Sequence, residues 1–340
     1  MQTGMFPFTA LATVGVMVMQ VAAPKDAPKP VPAATGAPAP KPGPWDNELV
    51  VQRVAADGTT AALATLTRAD VASIARLADG RLVVAFQGFP ADDAAHFNRV
   101  AVRLSADEGR TWTAPEPIAV AGMDAGLAPP FDPALVALPD GRVRMYFITH
   151  TGTDAAPGPT GVHSAVTSDG THFTYEPGVR FTVPGRVVVD CAAGLHAGMF
   201  HLVVPDNGTP AEFLGRRTRG EPQPGGNGYH ATSTDGLAFT RAADLPLPST
   251  RDRWWGNLCS DGAQLRFFGT GPGPWPVAST DGVRWAPSPA PLRMPGIDPC
   301  AARLRDGSWL LVATKVPAPA PAAAPAQPAP GSQPSGAISK

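Results

Sequence analysis

Two turn motifs alternate along this chain, and their alternation restricts the fold more than any other feature of the sequence. The first motif occurs four times, as Ser105-Ala-Asp107-Glu-Gly109-Arg-Thr-Trp112, Ser168-Asp169-Gly170-Thr-His-Phe173, Ser233-Thr-Asp235-Gly236-Leu-Ala-Phe239 and Ser279-Thr-Asp281-Gly282-Val-Arg-Trp285. Each copy follows one β-rich run and precedes another. Its residue types suit a tight strand-to-strand turn: the carboxylate accepts local N–H groups, glycine takes positive φ, and the aromatic packs back onto the sheet. The second motif reads strand, Asp-Gly turn, strand, with copies that open at Asp70, Asp132 and Asp298 and turn at Asp79-Gly80, Asp140-Gly141 and Asp306-Gly307. Degenerate copies open at Asp190 and Asn257. Both motifs signal hairpins, and two hairpins per repeat make a four-stranded blade.

The first-motif aspartates at 107, 169, 235 and 281 stand 62, 66 and 46 residues apart, a propeller spacing with connections of variable length. The hairpin that opens at Asp298 has no turn motif after it. Its missing half lies at the other end of the sequence, where residues 49–54, an Ala56-Asp57-Gly58 turn and residues 63–66 form an eroded copy. Pairing the two ends inside one blade closes the ring and removes exposed sheet edges. The expected fold class is therefore all-β, a five-bladed β-propeller whose N-terminal strands complete the last blade. Six blades is the alternative count.

Composition sets this middle apart from the two ends. Residues 1–23 carry no charge, residues 10–19 are apolar, and Val21-Ala22-Ala23 offers a small-residue cleavage site. That pattern reads as a signal peptide, with an uncleaved N-terminal anchor as the alternative. Residues 24–46 and 316–340 are rich in Pro and Ala and read as a linker and a tail without a packed core. The propeller domain is expected over residues 47–315, and a secreted, periplasmic or cell-surface location follows from the signal. With 27 basic and 28 acidic side chains, a net charge of −1 and no run of five like charges, the chain lacks the electrostatic footprint of a nucleic-acid binder. A monomer is expected, with no membrane contact beyond an anchor.

The Ser105 to Trp112 segment resembles the Asp box, or BNR repeat, of sialidases and related propellers. The shorter copies, such as Ser233 to Phe239, are similar to repeats of the five-bladed glycosidases of the arabinanase, xylosidase and invertase type. In those families the Asp box is structural, which the resemblance extends to Asp107, Asp169, Asp235 and Asp281. The chemistry is then expected at the opposite mouth, where Asp70, Asp132, Asp190, Asn257 and Asp298 open the innermost strands. Three long connections, residues 87–98, 150–161 and 205–227, fall on that same side. A glycosidase needs one carboxyl group to protonate the leaving oxygen and another to activate water or attack carbon. The resemblance implies that Asp70 is the base or nucleophile, Asp132 a supporting carboxylate and Asp190 the general acid, although Glu is usual at the third position. Capping of strand starts is the structural alternative for all of these aspartates.

Further candidates for binding a glycan sit near the same mouth. Trp254 and Trp255 could stack on a sugar face, with blade packing as the alternative, and Asn257, Asp298, Arg253 and Arg293 could contact its hydroxyl or acidic groups, with solvated loop charge as the alternative for the arginines. Arg186, Arg251 and the cluster Arg216, Arg217 and Arg219 belong to the same group of loops. The seven histidines show no metal-ligand spacing, so no cofactor is expected, with a calcium ion on the axis left open by the converging carboxylates. Cys259 and Cys300 read as small packing residues, with a disulfide between them as the alternative and Cys191 left over. The function expected is hydrolysis or binding of a glycan at an aspartate-lined mouth. The alternatives are a non-catalytic glycan- or protein-binding propeller and a sialidase.

Overall fold

The computed structural model describes residues 43–153, 156–219, 226–247, 252–271, 275–288 and 296–317. The expected signal segment, most of the linker and most of the tail lie outside these residues, as do Arg251 and Arg293. Within them the strands form five sheets, antiparallel but for one added strand, arranged as the blades of a propeller. The innermost strands are Ala69–Arg76, Phe131–Ala137, Ala192–His196, Arg253–Ser260 and Ile297–Arg303, one per blade, and each packs against the next to close a ring.

Closure is made by the two ends of the domain. The fifth blade runs, from outside to axis, Thr60–Thr67, Glu48–Val54, Trp309–Lys315 and Ile297–Arg303. Its central register pairs Val51 with Val312 and Leu49 with Thr314, so no strand edge is left open at the seam. The second blade gains a fifth strand, Ala119–Ala121, which runs parallel to His172–Phe181. The alternating burial of the strands sends side chains into the spaces between blades. Tyr146, Ile148, Phe200 and Leu202 fill one such space, and Leu49, Val51, Leu82, Phe86 and Leu310 fill another.

Residues 89–98 form a loop as expected, but the other two connections carry regular structure. Residues 150–161 mostly continue two strands, Val143–Thr153 and Ala156–Thr167, into a long hairpin. Residues 205–227 carry a helix, Pro210–Arg219, where the Glu212 carboxylate accepts the N–H of Thr209 at 2.7 Å and the Thr209 hydroxyl accepts the N–H of Glu212 at 3.3 Å. All three cysteines are free thiols, so the alternative of a Cys259–Cys300 disulfide is not realised. Among the described residues no helix is long and apolar enough to cross a membrane.

The Ser/Thr-x-Asp-Gly turns lie at the end of the axis away from the strand-opening aspartates. In the third blade, Asp235 Oδ1 accepts the Ser233 hydroxyl at 2.7 Å and the N–H groups of Leu237 and Ala238 at 2.8 and 3.0 Å. Such donors hold the Asp235 carboxyl down to about 2. The turn also touches the preceding blade: Tyr146 Oη donates to the Gly236 carbonyl at 2.9 Å and Arg144 to that of Asp235 at 2.9 Å. These turns therefore tie blade to blade.

Candidate active site

The mouth is built by one irregularity repeated around the ring. In four innermost strands the pairing slips by a bulge just after the strand opens, between Asp70 and Ser73, Phe131 and Ala134, Arg253 and Gly256, and Ile297 and Cys300. At these openings Val71, Asp132 and Asp298 take φ of 46°, 49° and 46°, and Asp190, just before the third blade's strand, takes 60°. Left-handed backbone is uncommon outside glycine, though Asp tolerates it better than a β-branched residue does. Bulges of this kind re-aim side chains at the rim of a sheet. Here three of the four coincide with Asp70, Asp132 and Asp298, and Asp190 precedes the one innermost strand without a bulge.

Asp132, Asp190 and Asp298 line a single recess together with Val71, Pro133, Cys191, Gly256 and Asn257, a cavity of about 10 Å³. That is room for about one water. The Asp190 N–H donates to Asp132 Oδ2 at 3.3 Å. Asp70 is held apart from this pair: its Oδ2 accepts Asn47 Nδ2 at 2.9 Å and its Oδ1 accepts the Val71 N–H at 2.9 Å.

The charges are unequal as a result. Burial pushes the Asp190 carboxyl well above its ordinary value, and the nearby Asp132, Asp298 and Asp70 push it further. Burial raises Asp132 to about 6, opposed by the Asp190 N–H, and it raises Asp298 to about 8, helped by Asp70 and Asp132. Asp70 is raised by burial as well, but Thr314, Asn47 and Val71 oppose the rise. Asp190 is thus pushed towards its protonated form by burial and by its neighbours, while Asp70 is the member best furnished to stay ionised. One group that holds a proton beside one that does not is the arrangement that general acid and base chemistry needs.

The remaining candidates divide. Trp254 does not offer a stacking face: it is 3% exposed, lies 4.7 Å from the Phe267 ring and fills the core between the third and fourth blades. Trp255, next in the strand, is half-buried. Asn257 is also committed elsewhere. It donates to the Ala72 carbonyl at 3.1 Å and accepts the Ser73 hydroxyl at 2.9 Å, a tie between the fourth and first blades. Asp298 stands at the recess with its own N–H bonded to Thr270 Oγ1 at 2.8 Å. Arg253 is half-buried and donates to the Asp252 carbonyl at 2.7 Å, and Arg186 is paired with Asp206 at 2.6 Å and Tyr229 at 2.9 Å. Neither arginine is directed at the aspartates by these bonds.

Two residues at the mouth have no counterpart in the repeat pattern. Asn47 lies before the first strand, and only the closure of the ring brings it to Asp70. Gln87, opposite Asp70 in the register, is buried with both amide atoms lacking a protein partner among the described residues. Among those residues no three His, Cys, Asp or Glu side chains are grouped to hold a metal ion. A wider cavity of about 370 Å³ opens at the other end of the axis, lined by Ile74, Leu135, Leu195, Leu258, Arg76 and Arg303 among others, and it holds no carboxylate.

No family model matches the chain, and no curated protein matches it in sequence. Solved structures do resemble it. A family 32 β-fructofuranosidase from Bombyx mori, in mutant form with sucrose, is 11% identical over 71% of this chain and 54% of its own, with a TM-score of 0.50. An α-L-arabinofuranosidase from Clostridium thermocellum is 13% identical over 72% and 80% of the two chains, at 0.48. A Hadza microbial sialidase is 13% identical over 72% and 53%, at 0.47. The matched region is thus about half the length of the fructofuranosidase and sialidase chains. At these identities the likeness is one of fold, a propeller scaffold that hosts many activities.

Proposed function

We propose that the protein is a glycoside hydrolase whose chemistry takes place at the aspartate mouth. Asp190 acts as general acid, Asp70 as base or nucleophile and Asp132 as the carboxylate that keeps the Asp190 proton in place. The observation that carries this reading is the gathering of Asp132, Asp190 and Asp298 in one recess with Asp70 held separately by Asn47 and Val71, where Asp190 is raised well above its ordinary value and three groups oppose the rise of Asp70. Asp298, which keeps its proton to about 8, presents a neutral carboxyl able to donate to a sugar hydroxyl. The uncharged apolar segment at residues 1–23 supports export, and so a glycan outside the cytoplasm as substrate.

The test is a panel of aryl glycosides and natural polysaccharides, followed by two variants. Asp190→Asn lowers turnover of substrates with poor leaving groups by about 10²–10⁴-fold, the range general acids supply. Activated aryl glycosides, which need little protonation, suffer much less. Asp70→Asn lowers both alike, because every substrate needs the base or nucleophile. Hydrolysis that survives both changes would exclude the assignment.

A second reading is a non-catalytic glycan-binding propeller. It is favoured by the recess of about 10 Å³, which admits no sugar ring, so a glycan would rest on the rim above the aspartates. Binding of a polysaccharide without hydrolysis of any member of the panel selects this reading.

A further inference from the structure

Asp70 differs from its three neighbours in what holds it. The Asp132 carboxylate accepts from a residue of its own cluster, Asp190, and among the described residues no donor reaches the Asp298 carboxyl. Asp70 instead receives donors from the blade that closes the ring. Asn47, 7% exposed, directly precedes the strand Glu48–Val54 and gives its amide to Oδ2 at 2.9 Å. Thr314, fully buried near the mouth end of Trp309–Lys315, accepts the Val71 N–H at 3.3 Å, and its hydroxyl opposes the rise of the same carboxyl. Leu49 pairs with Thr314 across the two strands, so both donors stand on one rigid piece. A further bond, from the Ala69 N–H to the Asn47 carbonyl at 3.3 Å, fixes that piece to the first blade.

We infer that Asn47 and Thr314 are positioning residues, and that the strands which close the ring supply the donors that fix the Asp70 carboxylate. The inference rests on the reading of Asp70 as base or nucleophile for its functional meaning, but its physical content is separate. Asp70 in turn raises Asp132, Asp190 and Asp298, from the second, third and fifth blades, while its own carboxyl is raised by burial. Arg68, two residues before it, is turned to the Phe89 carbonyl. The neutral groups from the closing blade, together with the Val71 N–H, are what oppose that burial.

The experiment follows the carboxyl carbon of Asp70 by NMR in the full chain, with the signal assigned by its loss in Asp70→Asn. Asn47→Ala and the near-isosteric Thr314→Val each raise the titration midpoint by about half a unit or more, the scale of losing a hydrogen bond to the charged form. Thr314→Ser, which keeps the hydroxyl, stays near the parent. An unmoved midpoint in folded Asn47→Ala and Thr314→Val overturns the inference, whether or not the protein hydrolyses a glycan. If it does hydrolyse one, the acid limb of kcat/KM moves upward with the midpoint. An acid limb that stays in place while the midpoint moves would instead remove Asp70 from the chemistry and leave the positioning intact.

Discussion

Three carboxyl groups that crowd one recess, with Asp70 nearby, resist folding when they are charged, and the direction of that effect follows from their shifts. Asp298 is raised from an ordinary value of 3.8 to about 8, and Asp132 to about 6, chiefly by burial. A carboxyl raised on folding contributes its full stability below the unfolded value and loses it as pH rises through the folded one. The mouth therefore favours the folded state in mild acid and weakens it between about pH 4 and 8. Asp298→Asn, neutral throughout, removes part of that slope: its melting temperature matches the parent's near pH 4 and exceeds it near pH 8. A parent that melts higher at pH 8 than at pH 5, with no gain in the variant, would mean that the carboxyls are not poised in this way. The convergence itself was readable from the repeat, because Asp stands at the same register in four blades. Asn47 was not, since its partner is 23 residues away and they meet only through a blade built from both chain ends.

At the level of the element, the Ser/Thr-x-Asp-Gly turn does two jobs, closing its own hairpin and bearing on the neighbouring blade. In Asp235→Ala the donors of Ser233, Leu237 and Ala238 lose one acceptor, at a surface where water replaces it, so the cost is on the order of 1 kcal/mol. Gly282→Ala is worse. Gly282 takes φ of 70°, and a Cβ there would run into the His201 ring of the preceding blade, so backbone strain adds to a clash. Urea denaturation is expected to rank the two in that order, while glycan binding by the folded fraction stays at the parent's level in both. Loss of ligand in either folded variant would place the ligand at the wrong end of the axis. The turns were legible from spacing, but one detail was not: in the second blade the hydroxyl that caps Asp169 is Thr167, not Ser168. Adjacent Ser and Thr look equivalent in a sequence, and only the pleat decides which points inward. Trp254 could not be decided from the sequence for a related reason. Its place near the mouth suggested a sugar platform, but its side of the strand faces the core between blades.

The molecule as a whole depends on a seam that the sequence marks faintly. The N-terminal hairpin has lost the Ser and the aromatic of the turn motif and keeps only Asp57-Gly58, so its blade was inferred from the need to close a ring. The strand order shows the closure directly, with Glu48–Val54 placed between Thr60–Thr67 and Trp309–Lys315. Removing the chain through Leu66 deletes Leu49, Val51 and Leu66, which are 0, 0 and 4% exposed, and bares Leu310, Val312 and Phe86 against which they pack. At roughly 1.5–3 kcal/mol for each large apolar side chain, these three alone contribute about 5–9 kcal/mol, comparable to the total stability of a typical domain. The same cut opens the edge of Trp309–Lys315 along its whole length. Leu49→Ala, by contrast, leaves the strand in place and costs about 2–5 kcal/mol. The point variant is therefore expected to melt cooperatively at a lower temperature, and the truncated chain to show no cooperative transition by calorimetry. A truncated chain that melts like the parent would mean that the first four blades and a half-blade are stable without closure, and the ends of the chain would then be ornament rather than seam.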